Sequence, residues 1–105
     1  MTATTGFERD NQGLFIRKDP EAVMNYTVDY STFLDSGDSI TSQTTTVDAG
    51  MTVDSSSIVS GNKKVTMKLS SGVVGTAYTV KITAVSNDGL TFVHRYRIKC
   101  EEIHL

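Results

Sequence analysis

From residue 14 onward the chain alternates. Met24, Tyr26, Val28 and Tyr30 are interleaved with Asn25, Thr27 and Asp29, and Val65, Met67 and Leu69 with Thr66, Lys68 and Ser70. Tyr78, Val80, Ile82 and Ala84 stand opposite Thr79, Lys81, Thr83 and Val85, while Leu90, Phe92, Tyr96, Ile98 and Cys100 share a parity against Val93, Arg95, Arg97 and Lys99. A period of two puts successive side chains on opposite faces, so each run predicts a half-buried strand. Leu14–Lys18 reads as a shorter strand that stops at Asp19-Pro20, because proline has no amide to donate to a ladder. Ser31–Leu34 breaks the alternation and predicts a single turn capped by Ser31, with Phe33 or Leu34 tucked inward. After the turn residues Asp35–Asp38 comes a Thr-rich strand, Ser39–Asp48, whose apolar residues Ile40 and Val47 lie on opposite parities and so predict a bulge. Met51–Val53 reads as a very short strand, Asp54–Ser57 as a loop, and Ile58-Val59 as resumed pairing. Gly72 and Gly75 bracket a further loop, and Asn87-Asp88-Gly89 is hairpin-turn chemistry.

About seven short strands with a turn signal roughly every ten residues predict an all-β, two-sheet sandwich rather than a βαβ fold. The stretch from Tyr78 through Ala84, followed by Asn-Asp-Gly and a long last strand, resembles the closing strands of immunoglobulin-like and fibronectin-III-like domains. Tyr78 falls where such domains keep a corner tyrosine, whose hydroxyl would bond back to the preceding loop.

Composition agrees. The 105 residues suffice for one domain, and 15 Thr and 11 Ser against no Trp and one Pro favour strands over helices. Residues 1–13 show no periodicity and are expected to form a flexible N-terminal arm, leaving residues 14–105 as a single sandwich domain. Cys100 is alone, so no internal disulfide is possible, and a small buried hydrophobe is the expected role. The polar start lacks the apolar core of a signal peptide, and no run approaches the roughly 18 apolar residues of a membrane span. Folding in a reducing cytoplasm and no membrane partner are the resulting expectations. A net charge of −2 argues against a general nucleic-acid binder.

The search for chemistry yields little. His94 and His104 with one Cys are too few for a zinc set; His94 is expected to be a rim or core histidine satisfied by a neighbour, and His104 to be solvated. Asp29, Asp35 and Asp38 are better suited to turn bonding than to calcium. No nucleophile elbow, phosphate loop or dinucleotide fingerprint occurs, Ser70-Ser71-Gly72 lacks a partner base, and adjacent Glu101 and Glu102 point apart if on a strand. An enzyme is not expected, and neither is a cofactor or a bound metal. Pairing of the last two predicted strands would gather Lys81, Arg95, Arg97 and Lys99 on one outward face beside Thr79 and Thr83. That face is either a solvated guard against edge aggregation or a docking patch for an acidic subunit.

The segment from Lys18 to Ile40 (KDPEAVMNYTVDYSTFLDSGDSI) is the most distinctive. It resembles a family of small tailed-bacteriophage virion proteins, the fiber–tail adaptors, whose pattern is K-D-P-x-A, a Y-x-x-D-[WY] run, an aromatic-Leu pair and G-D-x-I before a Thr/Ser-rich strand. The likeness extends to about Lys99 and departs where relatives favour Trp, since Tyr30 and Phe33 stand there. It implies a non-enzymatic virion component, homo-oligomeric in the particle, that docks other tail or fiber proteins. Phe7, Arg9, Lys81, Arg95, Arg97 and Lys99 are the expected interface residues. A capsid decoration protein and a glycan-binding module are the alternatives.

Overall fold

The computed structural model describes residues 8–11, 13–59 and 61–103. Eight strands are present: β1 (Glu8–Asp10), β2 (Gly13–Lys18), β3 (Met24–Asp29), β4 (Ile40–Val47), β5 (Met51–Val59), β6 (Lys64–Ser71), β7 (Ala77–Ser86) and β8 (Thr91–Cys100). They form a five-stranded sheet in the order β1-β2-β8-β7-β4 and a three-stranded sheet in the order β3-β6-β5. All pairings are antiparallel except β2 with β8, which run parallel. A seven-strand immunoglobulin-like arrangement results, with the opening strand laid beside the last one and β1 added outside it.

The alternating rows close between the sheets. Tyr26, Val28 and Tyr30 from the β3 side, Val65, Met67 and Leu69 from β6, and Val80, Ile82, Ala84, Tyr96 and Ile98 from β7 and β8 are all buried. Tyr26 meets Tyr96 edge-on, with ring centroids 6.1 Å apart, and the Tyr96 hydroxyl donates to Met67 Sδ at 3.0 Å. Such an aromatic pair adds about 0.5–1.5 kcal/mol beyond its buried area. Burial raises the phenol pKa of Tyr96 strongly and pushes those of Tyr26 and Tyr30 up to about 12.

The corner tyrosine is present: the Val73 amide donates to the Tyr78 hydroxyl at 3.0 Å, pinning the β6–β7 loop. The bulge in β4 lies between Ile40 and Ser42. Two local expectations are corrected, and the choice between Phe33 and Leu34 is settled. β5 runs unbroken from Met51 to Val59, with a bulge between Val53 and Ser55 in place of the loop predicted at Asp54–Ser57. The Ser-rich sequence hid this because β5 is an edge strand with one solvated face, where serine costs little burial. Phe33 is 45% exposed and it is Leu34 that packs against the core. The turn is capped by Asp29 rather than Ser31, its carboxylate accepting the Ser31 amide at 2.8 Å.

Within the expected arm, Glu8–Asp10 forms β1 and pairs with Gly13–Phe15 of β2. Two glycines are conformationally required. Gly50 (φ +106°) and Gly72 (φ +108°) flank the Tyr78 ring, and a methyl group on Gly72 would meet Cys100 Sγ at 2.5 Å.

Candidate docking face

The outward face of the five-stranded sheet is built in rows by strand register. Lys81 of β7 lies opposite Arg95 of β8, and Thr46 of β4 continues that row. In the next row Thr79 faces Arg97, Arg97 faces Phe15 of β2, and Phe15 faces Glu8 of β1. A third row carries Ala77, Lys99 and Arg17. The predicted cluster of Lys81, Arg95, Arg97 and Lys99 is therefore brought together, and the structure adds Arg17 to it. Arg9 stands apart on β1, opposite Leu14, and Phe7 lies outside the described residues.

The five cations are not equivalent. Arg17 pairs with Glu8 at 2.9 Å and with Glu101 at 3.0 Å, and Arg97 Nη2 donates to the Gly13 carbonyl at 3.2 Å. Beneath them Phe15 faces outward and is nonetheless only 6% exposed. Its ring is covered by Lys99 Nζ at 3.8 Å from the centroid, Arg97 at 5.6 Å and Arg17 at 5.8 Å. A cation over an aromatic face contributes about 0.5–1 kcal/mol when exposed and about 2 when desolvated. This canopy holds the charges in a fixed plane. Lys81 and Arg95 differ: among the described residues neither has an ion-pair partner, and they face each other directly. Opposed like charges on a sheet are destabilising.

Phe15 was not assignable from sequence, because Leu-Phe-Ile gives no alternation by which to choose its face. The basic residue two positions on, Arg17, was the available signal.

The remaining candidate groups hold the ends of the sandwich together. Asp38 is buried, and its Oδ1 accepts the amides of Ser39 at 2.8 Å and Asp88 at 3.1 Å. Burial opposes its charge, yet hydrogen bonds from Ser86 and from the Ser39, Asp88 and Asn87 amides prevail and hold its pKa below the ordinary range. Asp35 contributes its carbonyl, which accepts the Asp38 amide at 2.9 Å. At the opposite end Lys18 is 1% exposed, and its ammonium donates to the carbonyls of Asp19 at 3.0 Å, Ser71 at 2.9 Å and Pro20 at 3.5 Å. Burial lowers its pKa, with Cys100 and Asp19 acting the other way. Cys100 is buried beside it, and desolvation raises the thiol pKa. Glu101 and Glu102 lie beyond the end of β8, not on a strand.

His94 packs against Tyr30 (ring centroids 5.2 Å apart) and Phe33 (5.0 Å), with Phe92 completing the aromatic group. Contrary to expectation it is not satisfied by a neighbour: its buried Nδ1 has no hydrogen-bond partner among the described residues. It lines a cavity of about 230 Å³ with Arg9, Leu14, Val28, Phe33, Ile82, Arg95 and Tyr96.

A family model described as Podophage GP4 fiber-tail adaptor protein gp77 matches residues 18–99, and the chain belongs to that family. The match spans the sandwich from Lys18 to Lys99 and includes Lys81, Arg95 and Arg97. No curated protein matches the chain.

Proposed function

We propose that this protein is a structural component of a tailed-phage virion that joins tail and fiber proteins, and that it docks an acidic neighbour through the outward face of its five-stranded sheet. The adaptor role follows from the family. The docking mode is carried by one observation, the uncompensated Lys81–Arg95 pair in line with the fixed plane of Arg17, Arg97 and Lys99. A solvated face whose only task is to resist aggregation has no need of directly opposed cations, since one acid there would serve solubility and stability together. An acidic partner supplies the missing counter-charge and sets register and on-rate. Arg9, which β1 carries on its other face beside Leu14, makes a separate contact at that side of the sheet, and Phe7 joins the interface as well. Repetition around a symmetric particle adds avidity to each weak contact.

Lys81→Glu separates the two roles of this face. Placing an acid opposite Arg95 should stabilise the isolated fold by about 0.2–1 kcal/mol, as opposite-charge cross-strand pairs do. The same change should lower incorporation of the chain into particles, read by quantitative mass spectrometry of purified virions. Unchanged incorporation would remove the docking role from this face.

A further inference from the structure

We infer that the β8 edge beside the His94 cavity receives an extended segment of another protein, by strand addition, with an apolar side chain seated in the cavity and acidic side chains at its rim. The argument starts from register. β2 pairs only with Arg97–Cys100, whereas β8 begins at Thr91, so among the described residues no strand lies against Thr91–Arg95 on that side. The Cys100 amide donates to Thr76 across the β7 side, and the Leu90 carbonyl accepts from Ser86 there. Even-numbered residues of β8 thus aim their backbone groups at β7, and Thr91, Val93 and Arg95 aim theirs at the side where no described strand lies. Five residues present roughly 16 Å of edge at about 3.3 Å per residue. A run with no partner strand among the described residues is a template for another strand and has nothing to offer a helix.

Behind this edge lies the cavity, floored by Val28, Ile82 and Tyr96, with exposed Phe33 at its lip. A side chain pointing inward from an added strand would enter it, as every second residue must. Buried His94 Nδ1 points to an occupant too, because a buried polar atom without a partner is costly and an incoming segment can supply one. Arg9 and Arg95, neither with an ion-pair partner among the described residues, both contribute to the lining, Arg95 with its side chain on the outward face opposite Lys81, and this selects an acidic segment along the edge. Among the other edges β4 and β5 are bulged and β1 has three residues; β3 is an unbulged edge of six, and what sets the β8 edge apart from it is the His94 cavity with Arg9 and Arg95 in its lining. Residues 1–7 of this chain carry no acidic side chain, so a lining with two cations favours an occupant from another protein.

The inference rests on the adaptor reading only for the source of the strand. Hydrogen exchange of wild-type chain in purified particles, compared with the free protein, should show amides of Thr91, Val93 and Arg95 slowed by about tenfold or more on incorporation. Val93→Pro removes one outward donor without touching the β7 ladder, and should depress incorporation while circular dichroism stays native. Arg9→Glu with Arg95→Glu should depress it as well. Equal exchange in both states, or full incorporation of folded Val93→Pro, overturns strand addition and leaves the adaptor role intact. Protection that instead grows with the concentration of the free protein overturns a foreign occupant in favour of a second copy. Absence of wild-type chain from particles would defeat the adaptor reading itself.

Discussion

At the scale of single residues, three groups carry consequences out of proportion to their number. Lys18 satisfies carbonyls of the β2–β3 connection and of the last residue of β6 from inside the sandwich end. Lys18→Met keeps the stem and removes the donors, and chemical denaturation should show a loss of about 1–3 kcal/mol, the cost of stranding buried acceptors. Gly72→Ala should be more harmful than Gly61→Ala by about 1–3 kcal/mol, the usual cost of overpacking. Both have positive φ, but only at Gly72 does the new methyl group collide with Cys100 and Met51. His94 adds a pH dependence. Burial holds its imidazole below the ordinary 6.5, and Arg9 and Arg95 line the same cavity. The unfolded chain therefore binds a proton that the folded one refuses. The stability this contributes is present above about pH 6.5 and is lost as pH falls below it. Thermal melts between about pH 7.5 and 5 should show this slope, and His94→Gln should flatten it. None of these three roles was legible in sequence: a lysine at a strand end, one loop glycine among several and a lone histidine gain meaning only from what folding places beside them.

Among the elements, legibility followed burial. β3, β6, β7 and β8 have one dry face, so their alternation stands out and the predicted rows match the buried ones except at their starts, where Met24 and Leu90 are exposed. β4 showed its bulge through the parity conflict of Ile40 and Val47. β5 did not show its continuity, because an edge strand with Ser55, Ser56 and Ser57 satisfies its backbone through β6 without an apolar signature. β1 was invisible for another reason: three residues, one of them partnered to Phe15, offer too short a window for any period. Its contribution can be measured. Removing residues 1–12 strips β1 and the Glu8–Arg17 pair, whose members are both well exposed, so the fold should survive with a loss of no more than about 1 kcal/mol. Incorporation into particles should fall. Retention of normal incorporation by this truncation would confine the docking surface to β7 and β8.

For the molecule as a whole, the sandwich was readable because a handful of rows agree on one core, while the function was not readable from physics alone. The outward cations were identifiable as a cluster from parity. That Phe15 lies among them, that Lys81 opposes Arg95, and that the β8 edge is half covered depend on which strands become neighbours, and the parallel β2–β8 pairing brings together residues 82 apart in sequence. The family match then sets the chain among phage fiber-tail adaptor proteins. The most direct test of the account is a cryo-electron microscopy reconstruction of the purified virion at side-chain resolution. The account predicts density for this chain where fiber meets tail, with Lys81, Arg95, Arg97 and Lys99 buried against acidic side chains of a neighbouring protein. A map in which the chain is present with that face open to solvent, and its contacts made by the three-stranded sheet instead, would contradict it.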